Sequence, residues 1–367
     1  MSPAGDAPQP RVARLDGLRG LAVVAVVAYH YLADVGQQGT CGFLGVPVFF
    51  VLSGYLITRL LPRGGVGVAD AYARFLARRL RRLGPSLVAV VVLGTPLFVL
   101  AGHQPWHDAR LAACLALTQL MAVFASLHPT YQSPLGPTWS LAVEWWFYLT
   151  WPLLLLGMRR LRVSTLAARN TALALAVVTV AVALPLPGAR FYFSPLPNFG
   201  VLLCGAALAL HQEGRHERGR HASARDILPT GALALLLALL PLHSTTEGPG
   251  YRALLLPATV LATVSLLDAP VDQPSLASRV LEARWLRGLG TRAYSIYLWH
   301  LPVLWLTMQA TAYASGWATS AVSLAVTAVV VELAHRTLER PFTQPAGTTR
   351  SLALFSTTQP LPARVST

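Results

Sequence analysis

Arg14-Leu15-Asp16-Gly17-Leu18-Arg19-Gly20 runs straight into Leu21-Ala22-Val23-Val24-Ala25-Val26-Val27-Ala28-Tyr29-His30. The eleven positions from Arg19 to His30 make three helical turns plus roughly 20°, so a helix carries both on one face, about 16 Å apart along its axis. The apolar run over 18–35 is about the length that crosses a bilayer core of roughly 30 Å. An arginine at the mouth of such a span marks its inner end. A histidine inside the span is another matter, because ionisable groups at membrane depth are costly and usually functional.

Composition extends this reading to the whole chain. Of 367 residues, 54% are hydrophobic and 12% charged, with a mean hydropathy of +0.51; a soluble domain carries about 25% charged residues. The fold expected is an all-α polytopic membrane protein. The net charge of +14 is not a nucleic-acid footprint, since the arginines cluster in short connections between apolar runs as the positive-inside rule requires. Cys41, Cys114 and Cys204 have no metal or redox spacing. Residues 1–13 are polar and Pro-rich and lack the apolar core of a cleavable signal, so the first span is expected to act as an uncleaved one.

Eleven apolar segments are legible, at roughly 18–35, 43–61, 83–101, 109–127, 139–157, 170–186, 194–210, 227–242, 251–268, 291–311 and 317–337. Arginine clusters at 11–19, 59–82, 159–169, 215–225, 279–287 and 336–340 mark inner loops. The loop after the second segment and the loop near 160 are then both inside, so an even number of crossings joins them. Three segments lie between, and one of these must not span. Segment 109–127 is chosen, because it holds Gln119 and is flanked by His103-Gln104-Pro105 and His128-Pro129. The expectation is about ten transmembrane helices plus one re-entrant or outer-face helix, with both termini cytoplasmic. The units expected are a disordered tail over 1–13, one membrane domain over 14–342 and a Ser/Thr/Pro-rich disordered tail over 343–367.

Four further stretches carry candidate chemistry. Phe49-Phe50-Val51-Leu52-Ser53-Gly54-Tyr55 reads as close helix packing, or as Ser53 lining a cavity. Five arginines fall in nine residues, Arg74 to Arg82. Arg78 and Arg79 each share a helix face with Arg82, a fork suited to phosphate, to anionic lipid or simply to topology. Trp139-Ser140-Leu141-Ala142-Val143-Glu144-Trp145-Trp146 combines tryptophans that fit an interfacial belt with a carboxylate one to two turns inside a span. Tyr294-Ser295-Ile296-Tyr297-Leu298-Trp299-His300-Leu301-Pro302 places a second histidine at mid-depth before a kink-forming proline. Glu332 and His335 precede Glu339-Arg340-Pro341, and the Glu-Arg-Pro end reads as a salt-bridged helix terminus. Depth arithmetic puts His30 and Glu144 both some 7–9 Å below the outer surface, where they can meet. For His300 no partner is evident. A basic mouth inside and a His/Glu pair deep in the membrane suggest an acyl-CoA entering from the cytoplasm.

In order along the chain, Arg-x10-His (Arg19, His30), Phe-Phe-x-Leu-Ser-Gly-Tyr-Leu-Ile (Phe49 to Ile57), Arg-x-x-Arg with a following proline (Arg79, Arg82, Pro85), Trp-Ser-Leu-x-x-Glu (Trp139 to Glu144) and Tyr-Ser-x-Tyr-Leu-Trp-His-x-Pro (Tyr294 to Pro302) resemble acyltransferase family 3. These are bacterial integral membrane O-acyltransferases that modify cell-surface sugars, peptidoglycan, lipids and some antibiotics. The resemblance implies a ten-span bundle and a donor acyl-CoA, usually acetyl-CoA, as co-substrate, with no permanently bound cofactor and no metal. It implies a hydroxylated acceptor (glycan, lipid or glycoside), no nucleic acid, and a place in the bacterial cytoplasmic membrane. Members often carry an acidic residue where this chain has Asn198 before Phe199, and some have an appended hydrolase-like domain that is not expected here. His30, Glu144 and Arg19 are the catalytic candidates, and Arg78, Arg79 and Arg82 the donor-binding ones. Asp16, Ser53, Trp139, Ser140, Tyr297 and His300 are further candidates. The competing reading is a proton-coupled transporter or flippase that uses the same buried groups as a relay; a scaffold without catalysis is a third. The lack of an internal repeat favours the enzyme.

Overall fold

The computed structural model describes residues 13–34, 40–64, 67–102, 104–217, 227–269, 275–311 and 316–343. The two tails expected at the ends fall outside these residues apart from Ala13 and Thr343, as do Arg11, Arg218, Arg220 and Arg225. Among the described residues the protein is helical, apart from one isolated bridge between Thr40 and His243.

The chain forms α1 (Ala13–Asp34), α2 (Gly45–Leu60), α3 (Val68–Leu100), α4 (Trp106–Leu117), α5 (Met121–Leu127), α6 (Thr138–Arg160), α7 (Thr165–Ala183), α8 (Gly188–Phe193) and α9 (Pro195–Glu217). It continues as α10 (Ile227–Leu239), α11 (Leu256–Asp268), α12 (Leu276–Leu281), α13 (Arg284–Thr291), α14 (Ala293–Ala310), α15 (Trp317–Ala334) and α16 (Arg340–Thr343). Seven helical stretches among the described residues are long and apolar enough to cross a membrane, against the ten expected. They are built on α1, α2, α3, α6, α7, α11 and α15. The chain is a multi-pass membrane protein.

Segment 109–127 does not form a single helix. Gln119 has φ of 60°, a left-handed turn that no α-helix can continue through. The halves, α4 and α5, have 12 and 7 residues, about 18 and 10 Å at 1.5 Å per residue, and neither spans. The arginine cluster, assigned to an inner loop although its spacing gives a helix face, is helical and continuous with the third segment. It forms the first half of the 33-residue α3, which at about 50 Å is longer than a hydrocarbon core is thick.

Helix α2 is the centre of the bundle, enclosed on nearly every side, with α9 and α1 packed along it. Helices α7 and α15 lie at the edge and expose Val177, Val178, Val182, Val322, Val329 and Leu333, the surface a lipid tail covers at no cost. The α2–α9 contact depends on Gly54. A Cβ there would lie 1.8 Å from the carbonyl oxygen of Leu202, so backbone meets backbone. Gly54→Ala is therefore expected to force the two helices apart and to destabilise the protein by about 1–3 kcal/mol. A lowered thermal midpoint in detergent checks this; an unchanged midpoint would show that α9 has room to shift.

Gly17 acts likewise at the N-terminus of α1. Its Cβ would fall 1.7 Å from the Leu281 carbonyl oxygen, and α1 lies against α12 and α13 there. The Asp-Gly-Leu-Arg-Gly run is thus a docking strip as well as the foot of a span.

Candidate active site

Six helices converge on a cavity of about 100 Å³. Helix α1 contributes Arg19, α2 Phe49 and Ser53, α3 Arg79 and Arg82, α6 Ser140, Glu144 and Tyr148, and α14 Tyr294 and Tyr297, with Gly290 and Thr291 from the end of α13. By this measure one water needs about 10–15 Å³, so the space holds several waters and is large enough for a small acyl group.

Three guanidiniums face one carboxylate across this cavity. Glu144 is held by hydroxyls: Ser53 Oγ donates to Oε1 at 2.6 Å and Tyr148 OH donates to Oε2 at 2.6 Å. Ser53 therefore lines the site while its neighbour Gly54 makes the helix contact, so the two readings of the Ser-Gly pair belong to adjacent residues. The Arg79 guanidinium lies over the Phe75 and Tyr148 rings, 5.5 Å from each centroid. Among the described residues neither Arg79 nor Arg82 is ion-paired. Arg19 reaches Asp16 Oδ1 at 3.6 Å; buried Asp16 thus holds Arg19 and does not itself line the cavity.

The histidines lie one helical turn beyond. Tyr297, which lines the cavity, bonds Ser140 Oγ at 2.7 Å and the Pro137 carbonyl at 3.1 Å through its hydroxyl. Three residues on, His300 is fully buried, and its Nε2 lies 3.3 Å from His30 Nδ1. His30 is half-buried and packs edge-on against Tyr29. Tyr31, next along α1, donates to the His300 carbonyl at 3.1 Å and bonds Thr327 at 2.7 Å, tying α1, α14 and α15 together around the pair.

Several expectations are corrected here. Glu144 does not meet His30; both its oxygens are taken on the cavity side, and the partner of His30 is His300. Depth arithmetic fixes height along the membrane and says nothing of azimuth, which decides who meets whom. Arg78 is exposed and does not line the cavity; on α3 it is Arg79, three residues from Arg82, that turns inward. Trp139 is buried in an aromatic cluster with Phe50, Tyr192 and Phe193 and is no part of an interfacial belt. Trp146, by contrast, is exposed and donates to the Gln119 carbonyl at 2.8 Å. Asn198 donates to the carbonyls of Tyr192 and Ser194 at 2.7 and 2.8 Å, tying α8 to the start of α9. Tyr148 and Tyr294 were missed, although Tyr148 sits one turn from Glu144 on the same helix face, a detectable signal.

At the C-terminal end of α15, Glu332 accepts from Arg292 at 2.7 Å and Arg336 at 2.5 Å. A π-helical turn, His335–Glu339, carries Glu339 inward, where it accepts from Ser295 and lies 2.9 Å from His335 Nδ1. The arginine ion pairs thus fall on Glu332, upstream of the Glu-Arg-Pro end, where Glu339 instead meets Ser295 and His335 on a π-turn of the kind that often accompanies functional sites.

Residues 12–335 match a family described as an acyltransferase domain. The chain is similar to YrhL of Bacillus subtilis, 33% identical over 89% of this chain and 54% of the relative. It is similar to the peptidoglycan O-acetyltransferase OatA of Listeria monocytogenes, 30% identical over 90% of this chain and 55% of the relative. It is also similar to the O-acetyltransferase OatA of Staphylococcus aureus, 27% identical over 89% of this chain and 56% of the relative. The chain spans about half the length of these curated relatives. No solved structure matches it.

Proposed function

The chain belongs to acyltransferase family 3, and on that premise we propose that it is a membrane O-acetyltransferase moving an acetyl group from acetyl-CoA to a hydroxyl of a cell-wall glycan. The observation that carries this reading is the pairing of two sites: a small cavity holding two unpaired guanidiniums, and a histidine pair one turn beyond it. An anionic co-substrate is the natural counter-charge for Arg79 and Arg82. In this reading they hold the phosphates of acetyl-CoA at the mouth, and the cavity takes the thioester end. Arg19 faces the same space and is placed to stabilise the oxyanion of the tetrahedral intermediate. Glu144, locked between Ser53 and Tyr148, balances part of the arginine charge and keeps the mouth rigid.

His30 acts as general base on the acceptor hydroxyl, a role commonly filled by an imidazole. The proton moves to the imidazole and the acceptor oxygen bonds the acetyl carbon. The carbon–sulfur bond then breaks, and the proton passes on to the departing thiolate. In this reading the acceptor approaches from the side of the cavity lined by the Tyr297 and Ser140 hydroxyls. The names of the relatives support group transfer; nothing in the structure favours the transporter reading.

The proposed orientation follows the arginines. Both termini face the cytoplasm of a bacterial cell, and the seven long apolar helices are joined by α9, α10 and α14 to make ten crossings. Inside-out membrane vesicles test donor and sidedness together. Labelled acetyl-CoA added outside them, on the former cytoplasmic face, is expected to give an alkali-labile ester on peptidoglycan fragments trapped within. Right-side-out vesicles are expected to give none. Equal labelling from both faces would reverse the orientation argument, and no ester from either would remove acetyl-CoA as the donor.

A further inference from the structure

His300 is fully buried and has no part in the proton path just described. Resting on the reading of His30 as base, we infer that His300 is the positioning residue of the reaction. It orients the His30 ring and accepts from its Nδ1–H as positive charge develops there.

The hydrogen bonds fix both tautomers. His300 Nδ1 lies 2.6 Å from the Tyr297 carbonyl and 3.2 Å from that of Ile296. Carbonyl oxygens only accept, so this nitrogen carries the proton and neutral His300 presents an Nε2 lone pair. That lone pair points at His30 Nδ1, 3.3 Å away. His30 Nδ1 also lies 2.9 Å from the Val26 carbonyl, so it too must be the protonated nitrogen. The lone pair of His30 is therefore on Nε2, which bonds no described residue. It is the one ring position of the pair left to take a proton from an acceptor hydroxyl.

The carboxylate of a catalytic triad orients a histidine and stabilises the imidazolium without accepting its proton. His300 fills that place with a neutral ring. Glu144, the carboxylate that lines the cavity, has both oxygens committed to Ser53 and Tyr148. The Val26 carbonyl alone is a weaker orienter, since α1 also uses it within the helix ladder. His300 is itself immobilised by Tyr297, whose hydroxyl is anchored on Pro137. The orientation of the base is thus tied through one residue to the wall of the donor cavity. During turnover His300 neither gains nor loses a proton.

Three variants test the inference in native membranes, with protein levels quantified. His300→Leu removes both ring nitrogens. His300→Gln keeps an oxygen that accepts from His30 and an amide that donates to Tyr297. His30→Ala removes the base. His300→Leu is expected to lower kcat about 10²-fold, the scale on which orienting partners act, with KM for acetyl-CoA unchanged. His300→Gln is expected to restore turnover to within about tenfold of the wild type. Near-normal kcat in His300→Leu beside an inactive His30→Ala would overturn the positioning role and leave the base intact. Equal losses in the Leu and Gln variants, or a raised KM, would reduce His300 to packing. Should His300→Leu fail to accumulate, His300→Asn takes its place; its shorter side chain cannot reach both partners, and activity matching His300→Gln would sink the inference. Full turnover in His30→Ala would remove the base reading and the role of His300 with it.

Discussion

His30→Ala is expected to insert, accumulate and bind donor normally while losing acetyl transfer by about 10²–10⁴-fold, the span typical of a lost general base. The side chain is half-buried and makes its contacts through Nδ1 alone, to the Val26 carbonyl and to His300. Its removal leaves the His300 lone pair without its hydrogen-bonding neighbour, at a local cost of about 1–3 kcal/mol, which a bundle of this size tolerates. Transfer from labelled acetyl-CoA, normalised to protein level, is the measurement. A loss well beyond that range, with a trapped acetyl-imidazole in wild-type protein, would instead assign His30 as a covalent carrier. Glu144→Gln is the comparison. Its carboxylate accepts two hydroxyl hydrogens, and the amide nitrogen of glutamine would face one of those donors. The loss is expected to appear in KM for the donor more than in kcat, because Glu144 borders the arginines and not the histidines.

The fold was legible in the sequence wherever one helix explains itself. Apolar runs and arginine clusters located the long spans, and the parity of inner loops singled out 109–127 as the segment not expected to cross. The structure shows that this run is two short helices, broken at the left-handed backbone of Gln119. What pattern could not give was the end of a helix carrying charge. Pattern places the arginines of α3 in an inner loop, separate from the span, because charge and membrane exclude each other, yet one helix longer than the bilayer is thick accommodates both. The site divides in the same way. Arg79, Arg82, Ser53, Ser140, Glu144 and Tyr297 were singled out one at a time and all line one cavity. The pairing of His30 with His300, across 270 residues, depends on how α1 and α14 are rotated about their axes. Period and depth carry no information on that rotation, so Glu144 at matching depth was the natural choice and the wrong neighbour.

Replacing Arg79 and Arg82 together by Ala is expected to raise KM for acetyl-CoA by about 10²–10⁴-fold while kcat at saturating donor stays close to normal. Charge-assisted contacts to phosphate contribute about 1.5–3 kcal/mol each, and every 1.4 kcal/mol is a factor of about ten in affinity. Neither guanidinium is ion-paired among the described residues, so their loss does not strand a buried counter-charge, and the fold should persist. The two are not equivalent. Arg79 is stacked over Phe75 and Tyr148, which fixes the plane of its fork, whereas Arg82 shares the cavity wall with Leu83 and Tyr294. Arg79→Lys keeps the charge and loses both the planar stack and the bidentate geometry, so it should recover only part of the affinity. Arg78→Ala is the control on the same helix, one turn from Arg82 but exposed and outside the cavity; it should leave KM unchanged. Donor saturation curves for the three variants decide the matter. If the double variant binds acetyl-CoA as the wild type does, the arginines serve membrane topology, and the donor enters elsewhere. If Arg78→Ala weakens binding as much as the double variant, the cluster acts through its overall field rather than through the fork at the cavity mouth.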